Sequence, residues 1–493
     1  MSTLIVIANC KKTAIPFTPG KNLLELLRAN GYAVNAPCGG HGRCGKCRVE
    51  LRENGITKTV LACNTFPETD CTVTLPEEHA DLSWNNTSAP DLKVNGQSGY
   101  GAAVDLGTTT VAVKLYCLTD SSMLGSTSRW NVQKSCGGDV ITRIDYCIKH
   151  PDGLAELSRM IRNQIREMLA DLCEKSGIAY RDLSRIVLAG NTVMQHIFAG
   201  LSPVSIATAP FTPLSLFDDD TAYELDGVPV HLSPCVAGYV GGDITVGLLH
   251  TGLHERGGKS LFLDVGTNGE MALGGSDGFT ACAVASGPAF EGAEISCGMP
   301  AAAGAVSSVR LTESGLQYEV LGGGEAQGLC GSGLLDLVAC LLELGYIDES
   351  GCLEEDESGE AVFHLTDKVF LTQRDIRQLQ LAKAAVAAGI RLLLREQGVT
   401  FDDLDTLYLA GGFGNRLRPE SAIRIGMLPR ELSGRIAPVG NAALAGAEQA
   451  LLDPASRQAL LSLKDSCRYI ELSTSPDFND TFVEEMTFPE VTL

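Results

Sequence analysis

Four cysteines near the start of the chain stand at spacings suited to soft-metal chemistry: Cys38-x5-Cys44-x2-Cys47, then Cys63 after fifteen intervening residues. Thiolates prefer soft ions, and four of them suit zinc or an iron–sulfur cluster. Structural zinc sites are usually built from two CxxC-like pairs, whereas this pattern has one pair and two single cysteines. Glycines 39, 40, 42 and 45 let the loop wrap closely and offer backbone N–H groups to cluster sulfurs, which favours the cluster. A second chemistry lies in residues 103–110, where an apolar run reaches Asp105, then Gly107, Thr108, Thr109 and Thr110. Residues 263–270 repeat it with Asp264, Gly266, Thr267, Asn268 and Glu270. An aspartate at a strand end holds Mg²⁺ through water, and hydroxyls and amides in a tight turn donate to phosphate oxygens. Two such turns imply two halves closing on one phosphate-bearing ligand. Glu270 and Glu291 are candidates to orient a water there.

The elements that position these residues follow from the apolar pattern. Residues 4–7, 48–51, 58–61 and 72–75 read as strands, and 21–29 as a helix with Leu23, Leu24 and Leu27 on one face. They make residues 1–80 one module, in which Cys10 and Cys71 read as buried thiols and His41 as an exposed loop residue. Residues 81–99 are polar and aperiodic, a linker, with Trp84 unassigned. Each Asp turn returns as a strand and lacks GKS or GKT, so neither is a P-loop. Residues 174–191 align with 395–412 at a constant offset of 221, carrying Gly177 to Gly398 and Gly190 to Gly411; each copy follows a long amphipathic helix, 154–174 and 374–396. The Asp turns are offset by 159 (264 − 105), so the second copy carries 62 more residues (221 − 159). Residues 100–493 thus read as a duplicated α/β unit with halves near 100–255 and 256–493. The Gly-rich stretches 239–244 and 286–292 line its cleft, 328–336 opens a helix whose N-terminus receives an anion, Asn191 and His196 belong near the γ-phosphate or at a hinge, with His196 alone reading rather as structural, and 439–447 begins a small-residue helix suited to close packing and hinge motion.

At 493 residues with 44% hydrophobic and 20% charged residues, the chain has ample core for several domains. A net charge of −22 argues against nucleic-acid or anionic-membrane partners. No apolar run reaches the roughly 18 residues of a membrane span, and no secretory signal is read at the N-terminus. A cytoplasmic location is expected, where seventeen cysteines argue for metal binding and buried thiols rather than disulfides.

The cysteine spacing resembles [2Fe–2S] ferredoxins, whose β-grasp fold suits the predicted strands and helix. Residues 103–110 and 263–270 resemble the two phosphate motifs of the acetate and sugar kinase/Hsp70/actin superfamily, with its duplicated RNase H-like fold. Residues 407–415 resemble its adenosine motif, which assigns Gly411, Gly412 and Phe413 to the nucleoside. As a whole the chain resembles the ATP-dependent reductive activators of corrinoid proteins. The resemblance rests on the four cysteines and on residues 105–110, 190–196, 264–270, 287–293 and 410–415. It implies a [2Fe–2S] cluster, ATP and Mg²⁺, with Asp105, Asp264 and Glu270 catalytic. It also implies one-electron reduction of cob(II)alamin to cob(I)alamin on a methyltransferase corrinoid protein, an upstream low-potential electron donor, and a homodimer through the ATPase domain. A plant-type cluster sits near roughly −400 mV, and each ~60 mV uphill costs about 1.4 kcal/mol for one electron, which gives ATP a purpose. Better-known members carry a middle domain between ferredoxin and ATPase, or a C-terminal iron–sulfur region; here residues 81–99 alone are expected to separate the modules. An activator of another low-potential enzyme, and a small-molecule kinase with a fused redox sensor, are the alternatives.

Overall fold

The computed structural model describes residues 2–8, 11–32, 34–36, 38–53, 55–75, 97–219, 221–292, 294–355, 359–412, 414 and 416–490. Cys10, Trp84, Phe413, Asn415 and most of the linker lie outside these.

Residues 2–75 form a five-stranded sheet in the order 11–17, 2–8, 71–74, 48–53, 56–61. The central pair, Ser2–Ala8 with Cys71–Thr74, is parallel, and its neighbours are antiparallel. Helix Leu23–Ala29 buries Leu23, Leu24, Leu26 and Leu27 on this sheet. Its start is fixed by Asn22, whose side-chain oxygen accepts from the Glu25 amide at 2.9 Å. A mixed sheet crossed by one helix is the expected β-grasp. Strand Lys11–Phe17 was not foreseen. It is an edge strand carrying Pro16 and two leading lysines, so its apolar alternation is short and its proline reads as a break.

Residues 97–490 contain one sheet plan twice. Tyr100–Leu106 lies between the parallel strand Leu183–Gly190 and the antiparallel strand Thr110–Cys117, with Val228–Leu232 and Met123–Trp130 outside them. Lys259–Val265 lies likewise between Leu404–Ala410 and Gly269–Gly275, with Ile436–Gly440 and Gly278–Val284 outside. The strand offsets, 159 (259 − 100) and 221 (404 − 183), are those of the sequence repeat. Helices Gly153–Ser176 and Gln373–Gln397 precede the matching parallel strands. The second half's surplus holds a three-stranded sheet, 305–312, 315–320 and 328–329, and helix Gly331–Leu344. The central strands are buried on both faces (Ala103, Val104, Leu106, Leu261 and Leu263 are at most 1% exposed), which explains their unbroken apolar runs.

Helices Gly242–Thr251 and Ala442–Leu452 pack against each other between the two sheets. A Cβ on Gly446 would lie 2.0 Å from the Val246 carbonyl oxygen, so glycine sets this approach. The same helix is tied to the first half by a buried ion pair, Lys114 Nζ to Glu448 Oε2 at 2.9 Å. Among the described residues no helix is long and apolar enough to cross a membrane.

Candidate functional site

The cysteine loop, 38–47, leaves helix Leu23–Ala29 and enters strand Arg48–Glu53, while Cys63 sits in the turn after Ile56–Leu61. Its thiols stand two and two: Cys38 Sγ to Cys44 Sγ is 3.3 Å, and Cys47 Sγ to Cys63 Sγ is 3.3 Å. Gly39, Gly40, Gly42 and Gly45 all have positive φ, which only glycine adopts freely in succession. Burial pushes the Cys38 thiol up, but the Cys44 and Arg43 backbone groups outweigh it and hold it down at about 7. Burial and the neighbouring Cys47 thiol push Cys63 up to about 11. Four thiols in two close pairs are a soft-metal donor set and fit an iron–sulfur cluster. The sixteen described cysteines are free thiols. Cys71 is buried under the sheet and His41 is exposed on the loop.

The two Asp turns meet in one cleft of about 330 Å³. Asp105, Gly107, Thr108, Thr109 and Thr110 line it from the first half. Gly266, Thr267, Asn268, Asp264, Glu270, Gly411 and Gly412 line it from the second. Every sequence-predicted nucleotide residue among the described ones is therefore brought together. The first turn is held rigid: Asn131 Nδ2 donates to the Gly107 carbonyl at 2.9 Å, and the fully buried Arg143 donates to the Thr108 carbonyl. Gly411 has φ +91°, and a Cβ there would lie 2.5 Å from Asp264 Oδ1, so glycine lets this turn lie against the second aspartate.

Four acids converge in the cleft. Burial raises Asp105 to about 6, against a hydrogen bond from Asn441 Nδ2 at 2.8 Å that opposes the rise. Burial, then the Asp105 charge, raises Asp264 to about 7. Burial raises Asp243, and then Asp264 and Asp105 raise it further. Glu270 rises by burial and by Asp243 and Asp264. Mutually repelling carboxylates in a dry cleft are a cation site by chemistry. Among the described residues no three His, Cys, Asp or Glu side chains are grouped so as to hold a metal ion by themselves.

Sequence reasoning missed Asp243 and Asn441. Asp243 opens helix Gly242–Thr251 within a Gly-rich stretch read only as cleft lining. Asn441 caps helix Ala442–Leu452, its Oδ1 accepting from Leu444 N at 2.8 Å while its amide reaches Asp105. Asn191 is a second helix cap in the cleft, at the start of Thr192–Ala199: it accepts from Met194 N at 3.0 Å and donates to Thr108 Oγ1 at 2.9 Å. The repeat does not pair it with Asn441, since the offset of 221 carries Asn191 to Gly412. His196 is fully buried, its ring nitrogens facing the Thr192 carbonyl and the Ser215 amide, and is structural. Glu291 accepts from Thr109 Oγ1 at 2.9 Å and from Thr267 Oγ1 at 2.7 Å, joining the two turns. The N-terminus of helix Gly331–Leu344 opens on the cleft at Cys330, Gly331 and Ser332.

Three family models match the chain in order. Residues 6–68 match the 2Fe-2S iron–sulfur cluster binding domain. Residues 100–256 match the RACo middle region, and 258–493 the C-terminal domain of RACo, the ASKHA domain. The middle region expected to be missing is thus present as the first repeated half. Corrinoid activation enzyme RamQ of Eubacterium limosum is 30% identical over 562 residues, covering 93% of this chain and 94% of that protein. The [Co(II) methylated amine-specific corrinoid protein] reductase of Methanosarcina barkeri is 25% identical over 431 residues, covering 79% and 77%. A solved structure, a reductive activator for corrinoid, iron-sulfur protein, superposes with a TM-score of 0.72 at 29% identity, covering 99% of both chains. A thiol loop of this pattern, an ATPase cleft made from two repeated turns, and likeness along nearly the whole length place the chain in the family of ATP-dependent reductive activators of corrinoid proteins.

Proposed function

We propose that this protein uses ATP to drive the one-electron reduction of a corrinoid protein's cobalt from Co(II) to Co(I). The observation that carries the reading is the union in one chain of a paired-thiol loop and a cleft in which both phosphate turns meet. Cys38 and Cys44 hold one iron and Cys47 and Cys63 the other; the pairing by two supports the [2Fe–2S] type. A cluster held there supplies single electrons at low potential. The electron balance is simple: a low-potential donor gives one electron, Co(II) accepts one, and no proton moves with it.

In the cleft Thr108, Thr109, Thr110, Thr267 and Asn268 bind phosphate oxygens, with the amides of Gly107 and Gly266. Gly411 and Gly412 bed the nucleoside. Asp105, Asp264 and Asp243 would hold Mg²⁺ through water, and Glu270 would orient a water toward the terminal phosphate. Asn441 and Asn191, each the cap of a helix, fix Asp105 and Thr108. A homodimer through residues 100–493 completes the reading on the family resemblance.

The test mixes the full-length protein anaerobically with a low-potential reductant and a corrinoid protein in the Co(II) state, and follows the Co(II)-to-Co(I) absorbance change with and without ATP. Asp105→Ala abolishes the ATP-dependent rate while keeping the cluster's visible absorbance; Cys38→Ser loses that absorbance and the reduction. An Asp105→Ala protein reducing at the full ATP-dependent rate would sink the reading.

A further inference from the structure

The cysteine loop does more than carry thiols: it lies across the mouth of the cleft. Lys46, between Cys44 and Cys47, donates from Nζ to the Gly298 carbonyl of the second half at 3.3 Å. On the other side, Gly39 lies so close to the first half that a Cβ on it would stand 3.3 Å from the Cys136 carbonyl oxygen. Asn35 and Lys46 line the same cleft as the phosphate turns. The loop therefore has a footing on each half.

Below it, Glu291 also spans the halves, from Thr109 to Thr267. Both hydroxyls are assigned above to phosphate, and a carboxylate is the group a phosphate would replace. The two bridges touch. A Cβ on Gly298 would lie 2.1 Å from the Gly292 carbonyl oxygen, and one on Gly292 would lie 2.5 Å from the Met299 carbonyl oxygen. Met299 N is bonded to the Leu329 carbonyl at 2.8 Å, and Leu329 N to the Cys297 carbonyl at 2.9 Å. Contacts this tight carry a shift rather than absorb it.

We propose that the cleft mouth is a docking surface for the chain's own cysteine loop, seated by Lys46 on Gly298, and that nucleotide phosphate unseats it by displacing Glu291. This rests on reading the two turns as the phosphate site. Phosphate oxygens accept from Thr109 and Thr267, and their charge repels the Glu291 carboxylate. Glu291 and Gly292 move, Gly298 moves with them, and Lys46 loses its acceptor. The thiol loop is then free to face the corrinoid partner only when nucleotide is bound. Lys46 is here a positioning residue.

Backbone hydrogen–deuterium exchange on the full-length holoprotein tests this, with a non-hydrolysable ATP analogue and Mg²⁺ as the probe. Nucleotide is expected to protect residues 105–110 and 264–270, and to speed exchange in 38–48 about tenfold, the worth of one charge-assisted hydrogen bond. Glu291→Ala and Lys46→Met are expected to show the fast loop without nucleotide and no further change with it, their cluster absorbance retained; Lys46→Arg restores the slow loop. Protected turns with an unchanged loop in the wild-type protein would overturn the docking device and leave the ATP site standing. Turns that gain no protection would overturn the ATP site, and the device with it.

Discussion

Removing the Glu448 carboxylate alone should cost more stability than replacing it together with Lys114 and Tyr116. Lys114 Nζ lies 2.9 Å from Glu448 Oε2, and the two side chains are 1% and 5% exposed. Tyr116 donates its hydroxyl to the other carboxylate oxygen. Glu448→Gln keeps the shape but leaves the Lys114 ammonium buried without its counter-charge, a loss of about 3–5 kcal/mol. The triple replacement Lys114→Met, Tyr116→Phe and Glu448→Leu removes both members of the ion pair and the tyrosine hydroxyl together, and should cost less than Glu448→Gln because no uncompensated Lys114 charge stays buried. Urea unfolding of the full-length protein, followed by far-ultraviolet circular dichroism, measures both. The cluster's visible absorbance serves as an internal control: the first 75 residues have their own core, so its midpoint should not move. Chains this large need not unfold in one step, so the comparison is of the transition belonging to residues 97–490. A Glu448→Gln loss under about 1 kcal/mol would put the pair among exposed salt bridges and refute the claim that it locks the crossing helix to the first sheet.

Two other outcomes follow from the cleft. Asp105 and Asp264 have folded values raised to about 6 and about 7 from 3.8. Folding therefore favours their protonated forms; the stability they contribute is full below about pH 4 and is lost as pH rises through about 6 to 7. Each pH unit of rise in pKa is worth about 1.4 kcal/mol. Without Mg²⁺ the melting temperature should fall between pH 5 and 8, and Asp264→Asn should flatten that slope; an unchanged slope in the variant would refute the assignment. Gly411→Ala combines a left-handed backbone, costing an L residue roughly 1–2 kcal/mol, with a Cβ 2.5 Å from Asp264 Oδ1. Nucleotide affinity measured by calorimetry should drop at least tenfold while the cluster absorbance is kept.

The repeat made the fold legible, because duplicated strands have to bury the same faces and so keep the same apolar residues at a fixed offset. The offsets 159 and 221 therefore reappear in the strand starts, 100 to 259 and 183 to 404. Cys38, Cys44 and Cys47 were easy to group for a different reason: they stand on one local loop, whose spacing a sequence displays directly. Strand Lys11–Phe17 was hidden because an edge strand needs only half a pattern, here Ile15 and Phe17. Asp243 and Asn441 were hidden because their roles come from convergence. Asp243 lies more than a hundred residues from Asp105, and Asn441 lies 336 residues from it. Glu291 shows the limit most clearly. As a lone acid in a Gly-rich stretch it read as a water-orienting base, but in the folded chain it accepts from Thr109, 182 residues away, and from Thr267, 24 residues away. Its place between the two turns comes from pairing across the fold, which no local stretch of sequence displays.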